Sequence, residues 1–77
     1  MTQPCDSELD LSGLTCPMPL LKTKQALNKM PSGHIIKVLA TDPASERDFK
    51  VFSDQSGVRL LSTEKIAGRF VYWLQKP

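Results

Sequence analysis

The sequence predicts a two-layer α/β (α+β) sandwich of order βαβαββ, in which a mixed four-stranded sheet carries two helices on one face. The chain of 77 residues has room for one core. Segments with a two-residue alternation and segments with a helical period follow one another in that order. Two helices are too few to cover both faces of such a sheet. We therefore predict a single domain over residues 1–77, with residues 1–7 as a flexible tail.

The first half of the chain predicts a strand–helix–strand unit. Residues 9–11 alternate like a short strand, and residues 34–41 form the clearest strand of the chain. Between them, residues 17–30 have a helical period. The predicted buried face of this helix consists of Leu20, Thr23, Leu27 and Met30. Because such crossovers are right-handed, the two strands should be parallel, with the beginnings of both helices along one rim of the domain.

The second half predicts a helix followed by a β-hairpin. Asp42 is predicted as the N-cap of the second helix, with Pro43 at its first helical position. Gly57 is placed to end this helix in the left-handed conformation. Residues 58–64 and 69–76 alternate again, which predicts two antiparallel strands joined by a short connection.

The face of the sheet opposite the helices is predicted to be open. The residues assigned to an exposed apolar patch on it are Leu39, Leu61, Val71 and Trp73. An exposed apolar patch of this kind suits a partner protein or a dimer contact.

Charge and cysteine content indicate a cytoplasmic protein with free thiols. The net charge of +2 is mildly basic, and the N-terminus shows no apolar signal segment. The longest apolar run, residues 70–74, is far too short to cross a bilayer. Two cysteines without an export signal suggest a reducing compartment.

Cys16 is the residue around which chemistry is expected. We predict it as the N-cap of the first helix, because Pro17 suits the first helical position and a residue before proline avoids the helical conformation. Pro17 and Pro19 lack N–H groups, so the amides of Met18 and Leu20 are left to face the sulfur. These donors and the helix dipole would lower the thiol pKa and favour a thiolate or a persulfide anion.

Other cysteine chemistries fit the sequence less well. Pro19 stands where a Cys-x-x-Cys motif would have its resolving cysteine, which argues against disulfide exchange. His34 is the one histidine, outside any recognised catalytic motif. Cys5, Cys16 and His34 lack paired ligand spacing, so no metal site is predicted.

The segment Cys16-Pro17-Met18-Pro19 resembles the hallmark of the TusA/SirA-like sulfur carrier proteins, a Cys-Pro-x-Pro motif that opens the first helix of a βαβαββ domain. Asp42-Pro43, followed by Arg47-Asp48, resembles the beginning of the family's second helix. The resemblance covers residues 9–76. Two features depart from it: Cys5 lies outside the motif, and residues 49–52 lack the cysteine that some relatives carry nearby.

The resemblance implies a role for each motif residue. Cys16 would bear sulfur as a persulfide, and Pro17, Met18 and Pro19 would shape its turn. A cysteine desulfurase or similar donor protein would load the sulfur, and an acceptor protein would remove it for tRNA thiolation, molybdenum-cofactor or sulfur-oxidation pathways. No cofactor is implied beyond the transient sulfur. The protein would act covalently as a sulfurtransferase component without converting a small molecule by itself.

Basic residues near the motif are candidates for partner docking, and solvated helix faces explain them about equally well. These candidates are Lys22, Lys24, Arg47 and Lys50. Two other classes of function stay open at this point. A nucleic-acid-binding or regulatory α/β module is disfavoured by the weak net charge and by the presence of only five aromatic residues (one Trp, one Tyr, three Phe). A thiol redox sensor is disfavoured by the missing resolving cysteine. Direct nucleic-acid binding and membrane binding are not expected.

Overall fold

The computed structural model describes residues 5–77, so residues 1–4 of the predicted tail lie outside the described part. The elements in chain order are β1 (Ser7–Leu11), α1 (Met18–Asn28), β2 (Ile35–Ala40), α2 (Ser45–Ser56), β3 (Arg59–Ile66) and β4 (Arg69–Gln75). The sheet order is β1-β2-β4-β3, with β1 parallel to β2 and the other two pairs antiparallel. The predicted fold class, the parallel first pair and the final hairpin are confirmed.

The N-terminal strand begins earlier than the sequence pattern predicted. Asp6 donates its backbone N–H to the carbonyl of Ile35 at 2.7 Å, and its carboxylate accepts the N–H of Ile35 at 2.8 Å. Ser7 is paired with Ile36 across the parallel ladder. Asp6 and Ser7 are polar, so they add no apolar residue to the alternating pattern, and their hydrogen bonds and pairing with β2 place them in the structure. The prediction that Asp6 and Ser7 belong to a flexible tail is therefore wrong.

The core lies between one sheet face and the two helices, as predicted. Its sheet side alternates along β2 and β4 and consists of Ile36, Val38, Ala40, Phe70, Tyr72 and Leu74. On α1, Thr23 and Leu27 are buried, and Leu20 packs against the core at half burial, as does Met30 just after the helix. No described helix is long and apolar enough to span a membrane.

Residues in the left-handed conformation end α2 and form the turn between β3 and β4. Gly57 closes α2 with φ 81°, as predicted. The hairpin turn is shorter than the predicted connection: Ala67 (φ 51°) and Gly68 (φ 78°) alone join β3 to β4. A two-residue turn with positive φ at both positions matches the twist of the flanking strands.

The predicted exposed patch on the open sheet face is wrong. Trp73 is only 1% exposed and Val71 7%. Leu39 and Leu61 are half-buried. The register places Lys37 opposite Trp73, and its Nζ lies 5.7 Å from the centre of the indole ring. Long polar side chains of neighbouring strands can lay their aliphatic stems over such a face, which periodicity alone does not reveal.

A buried hydrogen bond fixes the first turn of α2 to the sheet. The hydroxyls of Ser45 and Tyr72 are 2.7 Å apart, and both residues are fully buried. Because burial favours the neutral phenol, the pKa of Tyr72 is raised, with the Ser45 hydrogen bond acting in the opposite direction. This contact holds in place the beginning of the helix that also carries part of the candidate site.

Tyr72→Phe should lower the free energy of unfolding by about 1–3 kcal/mol, because it leaves the Ser45 hydroxyl buried without its partner. Urea denaturation measures the loss. The matched control is the double variant Ser45→Ala/Tyr72→Phe, which removes both polar groups and should be closer to wild type than the sum of the single variants predicts. Simple additivity of the two single losses would contradict this account.

Candidate functional site

The candidate site lies at the rim where the two parallel strands end. The loops that follow β1 and β2 are tied together by two hydrogen bonds. The Gly13 N–H donates to Thr41 Oγ1 at 2.9 Å, and the Cys16 N–H donates to Asp42 Oδ2 at 2.9 Å. The predicted placement of both helix beginnings along one rim is confirmed, and the link between them is direct.

The local geometry at Cys16 differs from the prediction. Helix α1 begins at Met18, so Pro17 is at the cap position and Cys16 precedes it. The Cys16–Pro17 peptide bond is cis. The Met18 N–H donates to the carbonyl of Thr15 at 2.9 Å and closes a turn. This amide is therefore not available to donate a hydrogen bond to the Cys16 sulfur. The predictions of Cys16 as N-cap and Pro17 as first helical residue are therefore wrong, while Pro19 lies buried inside the first turn.

Asp42 also has a different role from the predicted helix cap. Helix α2 begins at Ser45, with Ala44 at the cap position and no side-chain cap hydrogen bond. Pro43 accordingly precedes the helix. The two oxygens of the Asp42 carboxylate accept the N–H of Ala44 at 3.3 Å and the N–H of Cys16 at 2.9 Å. Asp42 thus joins the beginning of α2 to the cysteine loop, because its carboxylate satisfies backbone donors from both.

The Cys16 sulfur is exposed and contacts a carboxylate of α2. Its S–H donates to Asp48 Oδ2 at 3.2 Å. This hydrogen bond is the largest cause of a raised thiol pKa, followed by desolvation and by the negative charges of Asp48 and Asp42, while Arg47 acts in the lowering direction. The expectation that the site favours the anion is therefore wrong: the neighbouring carboxylates favour the protonated thiol.

Asp48 is the site residue that reasoning from the sequence missed. Asp48 appeared there only as part of the resemblance at the beginning of the second helix. The helical period of α2 could have indicated the position of Asp48. Ser45 and Phe49 are buried toward the sheet, and residue 48 lies one turn after Ser45 on the neighbouring stripe. That stripe faces the rim on which the Cys16 loop also lies.

The four candidate docking residues are exposed and divided between the helices. Lys22 and Lys24 lie on α1, and the Lys24 ammonium is 5.4 Å from the centre of the Phe52 ring. Arg47 and Lys50 lie on α2, where both line a shallow cavity of about 480 Å³. Arg47 is the member of this set that contacts a site residue, with its Nε 3.9 Å from Asp48 Oδ1. Their role in docking stays a prediction.

Cys5 and His34 lie away from Cys16, and the groups around Cys16 are not assigned a metal. Cys5 is exposed and free, and the His34 ring is 3.9 Å from the Asp6 carboxylate. The sulfur of Cys16 and one oxygen each from Asp42 and Asp48 lie within 4.8 Å of one another. Hydrogen bonds already account for this closeness. The trio therefore carries no metal assignment.

Comparison with solved structures defines the class of fold. The chain superposes on a SirA-like protein from Desulfitobacterium hafniense with a TM-score of 0.78 and 23% identity, covering 90% of this chain and 95% of that one. The architecture with a cysteine loop on its rim is thus a SirA-like α/β sandwich.

Sequence comparison then gives the family. A family model described as Sulfurtransferase TusA matches residues 7–76. A sulfur carrier protein TusA from Allochromatium vinosum is 45% identical over 71 residues, which cover 92% of this chain and 93% of the relative. A sulfur carrier protein TusA from Pseudomonas putida GB-1 is 39% identical over 71 residues, covering 92% and 89%. The chain belongs to the TusA family, and the resemblance noted from its motif is confirmed.

Proposed function

We propose that this protein is a sulfur carrier that accepts sulfur as a persulfide on Cys16 and passes it to an acceptor protein. The observation that carries the proposal is the exposed, free Cys16 thiol in the family motif, at the rim where β1 and β2 end. The relatives from Allochromatium vinosum and Pseudomonas putida are both named as sulfur carrier proteins. A surface thiol suits this role because its reaction partner is another protein rather than an enclosed small molecule.

The chemistry needs only the Cys16 thiol and a donor that holds a cysteine persulfide. The ionised Cys16 sulfur attacks the outer sulfur of the donor persulfide and forms a new S–S bond, while the S–S bond of the donor breaks. The donor cysteine leaves as a thiolate and takes up a proton, and the Cys16 proton is released. Because the donor's inner sulfur is reduced as the Cys16 sulfur is oxidised, no external oxidant is required.

The surroundings of the thiol support transfer between proteins. Met18 and Leu21 are exposed apolar residues at the beginning of α1, directly after the cysteine loop. Exposed apolar side chains beside polar ones are typical of protein interfaces. We infer a cysteine desulfurase or another persulfide-bearing protein as donor and a second thiol protein as acceptor. The protein would act in the cytoplasm as a sulfurtransferase component, in tRNA thiolation, molybdenum-cofactor or sulfur-oxidation pathways.

Intact-protein mass spectrometry tests this proposal. The protein is incubated with a cysteine desulfurase, pyridoxal phosphate and cysteine, and its mass is measured before and after reduction. We expect the mass to increase by one sulfur atom, and we expect a reducing agent to remove the increase because persulfides are reducible. An unchanged mass with several desulfurases and with a low-molecular-weight persulfide would contradict the proposal.

A further inference from the structure

The sulfur of the unloaded carrier lies close to two carboxylates. Cys16 S–H donates to Asp48 Oδ2 at 3.2 Å, and Asp42 accepts the backbone N–H of the same cysteine. One carboxylate oxygen of each aspartate and the sulfur lie within 4.8 Å of one another. An exposed nucleophilic thiol is thus placed next to two negative charges, which is the opposite of the arrangement that activates a cysteine.

Arg47 is the cation next to these charges, and it offsets them only weakly. Arg47 Nε is 3.9 Å from Asp48 Oδ1, and its side chain is 80% exposed, so solvent screens its effect on the sulfur. The Asp48 side chain is 21% exposed and is therefore less screened by solvent. Among the described residues, the charged groups that affect the pKa of the Cys16 thiol are Asp48 and Arg47 on α2 and Asp42 on the preceding loop.

We propose that Asp48 is a positioning residue that restrains the unloaded carrier, holding the Cys16 thiol as S–H against α2 until sulfur is loaded. This inference rests on the proposed function for its biological meaning, and on the hydrogen-bond geometry for its chemistry. An unloaded thiol kept protonated reacts slowly with small electrophiles and oxidants, because the thiolate is the reactive species. Partner proteins then have to supply the conditions for ionisation.

Loading reverses the interaction with Asp48. A persulfide in its anionic form has no proton to donate, so the attraction to the carboxylate is replaced by repulsion between like charges. The terminal sulfur, one bond farther from the backbone than the thiol sulfur, is directed away from α2 and toward solvent. The Asp48 carboxylate therefore holds the thiol of the unloaded carrier against α2, and it directs the persulfide of the loaded carrier toward solvent.

The pH dependence of thiol alkylation tests the restraint without any sulfur donor. All variants carry Cys5→Ser, so that only Cys16 reacts with iodoacetamide. Asp48→Asn removes the charge with little change of shape. We expect the midpoint of its rate profile to move to lower pH and alkylation at pH 7 to be about tenfold faster, as is typical for loss of a like charge in direct contact.

Two matched controls separate charge from structure. Asp54→Asn removes an exposed carboxylate from the same helix and should leave the midpoint unchanged. Asp48→Glu keeps the charge, so its midpoint should stay nearer to wild type than that of Asp48→Asn. Equal midpoints for wild type and Asp48→Asn would overturn the proposal. A shift in Asp48→Glu as large as that in Asp48→Asn would also overturn it, because a merely structural role would disturb both variants alike.

A second reaction distinguishes this inference from the carrier proposal. Glutathione persulfide, which has no protein docking surface, is the sulfur donor, and the initial rate of persulfide formation is followed by intact mass. Asp48→Asn should load about tenfold faster than wild type at pH 7, for the same reason as in alkylation. Shifted alkylation midpoints without sulfur loading in any variant would contradict the carrier function alone. Normal loading with coincident midpoints would contradict the role of Asp48 alone.

Discussion

Replacing Cys16 with serine is expected to abolish sulfur loading completely. A serine hydroxyl cannot form a persulfide, and its proton is held far more tightly than that of a thiol. The substitution keeps the shape of the side chain, and its hydroxyl can donate to Asp48 as the thiol does. Because Cys16 is exposed, the free energy of unfolding should stay within about 0.5 kcal/mol of wild type. Mass spectrometry and urea denaturation on the same preparation measure both effects.

Cys5→Ser is the matched control for this variant. Cys5 is the other exposed, free cysteine, and it precedes β1 rather than lying in the motif. Its replacement should leave sulfur loading unchanged. If sulfur loading survives in Cys16→Ser, or is lost in Cys5→Ser, the assignment of the persulfide to Cys16 is wrong.

Phe49→Ala is expected to cause the largest loss of stability. Phe49 is fully buried, and its ring centre lies 4.4 Å from that of Tyr72. It and Ser45 are the fully buried residues of α2, so the helix depends on this ring for its attachment to the sheet. Truncating a buried phenylalanine costs about 3–5 kcal/mol through lost transfer energy and the cavity that remains. That is a large part of the roughly 5–15 kcal/mol that stabilises a typical domain.

The measurement is a urea unfolding curve, with Val51→Ala as control. Val51 lies on the same helix and is 45% exposed, so its truncation should change stability by no more than about 1 kcal/mol. A Phe49→Ala midpoint close to that of Val51→Ala would show that α2 is held by contacts other than the Phe49 ring.

The fold was predictable because its signals are local. The helical period of α1, the alternation of β2 and the position of Gly57 each depend on a few neighbouring residues, and the structure confirms them. Right-handed crossover then brought both helix beginnings to one rim without any knowledge of side-chain contacts. The position of Cys16 at that rim followed from the same reasoning.

The electrostatics of the site were not predictable from local sequence. The partner of the Cys16 amide is Asp42, and the partner of its sulfur is Asp48 on another element. These contacts arise only when α2 packs beside the cysteine loop, so a rule based on the helix terminus alone gave the wrong direction for the thiol pKa. The burial of Trp73 beneath Lys37 was missed for a similar reason, since it depends on strand register.

The central claim, that Cys16 receives sulfur and gives it up, is tested most directly with isotopically labelled sulfur. The protein is loaded by a desulfurase acting on cysteine that carries the label, separated from the donor and mapped by peptide mass spectrometry. It is then exposed to a thiol acceptor while the label is followed. We expect the label on the peptide that contains Cys16, followed by its quantitative appearance on the acceptor. Label on Cys5, or label on Cys16 that no thiol acceptor removes, would contradict a carrier function.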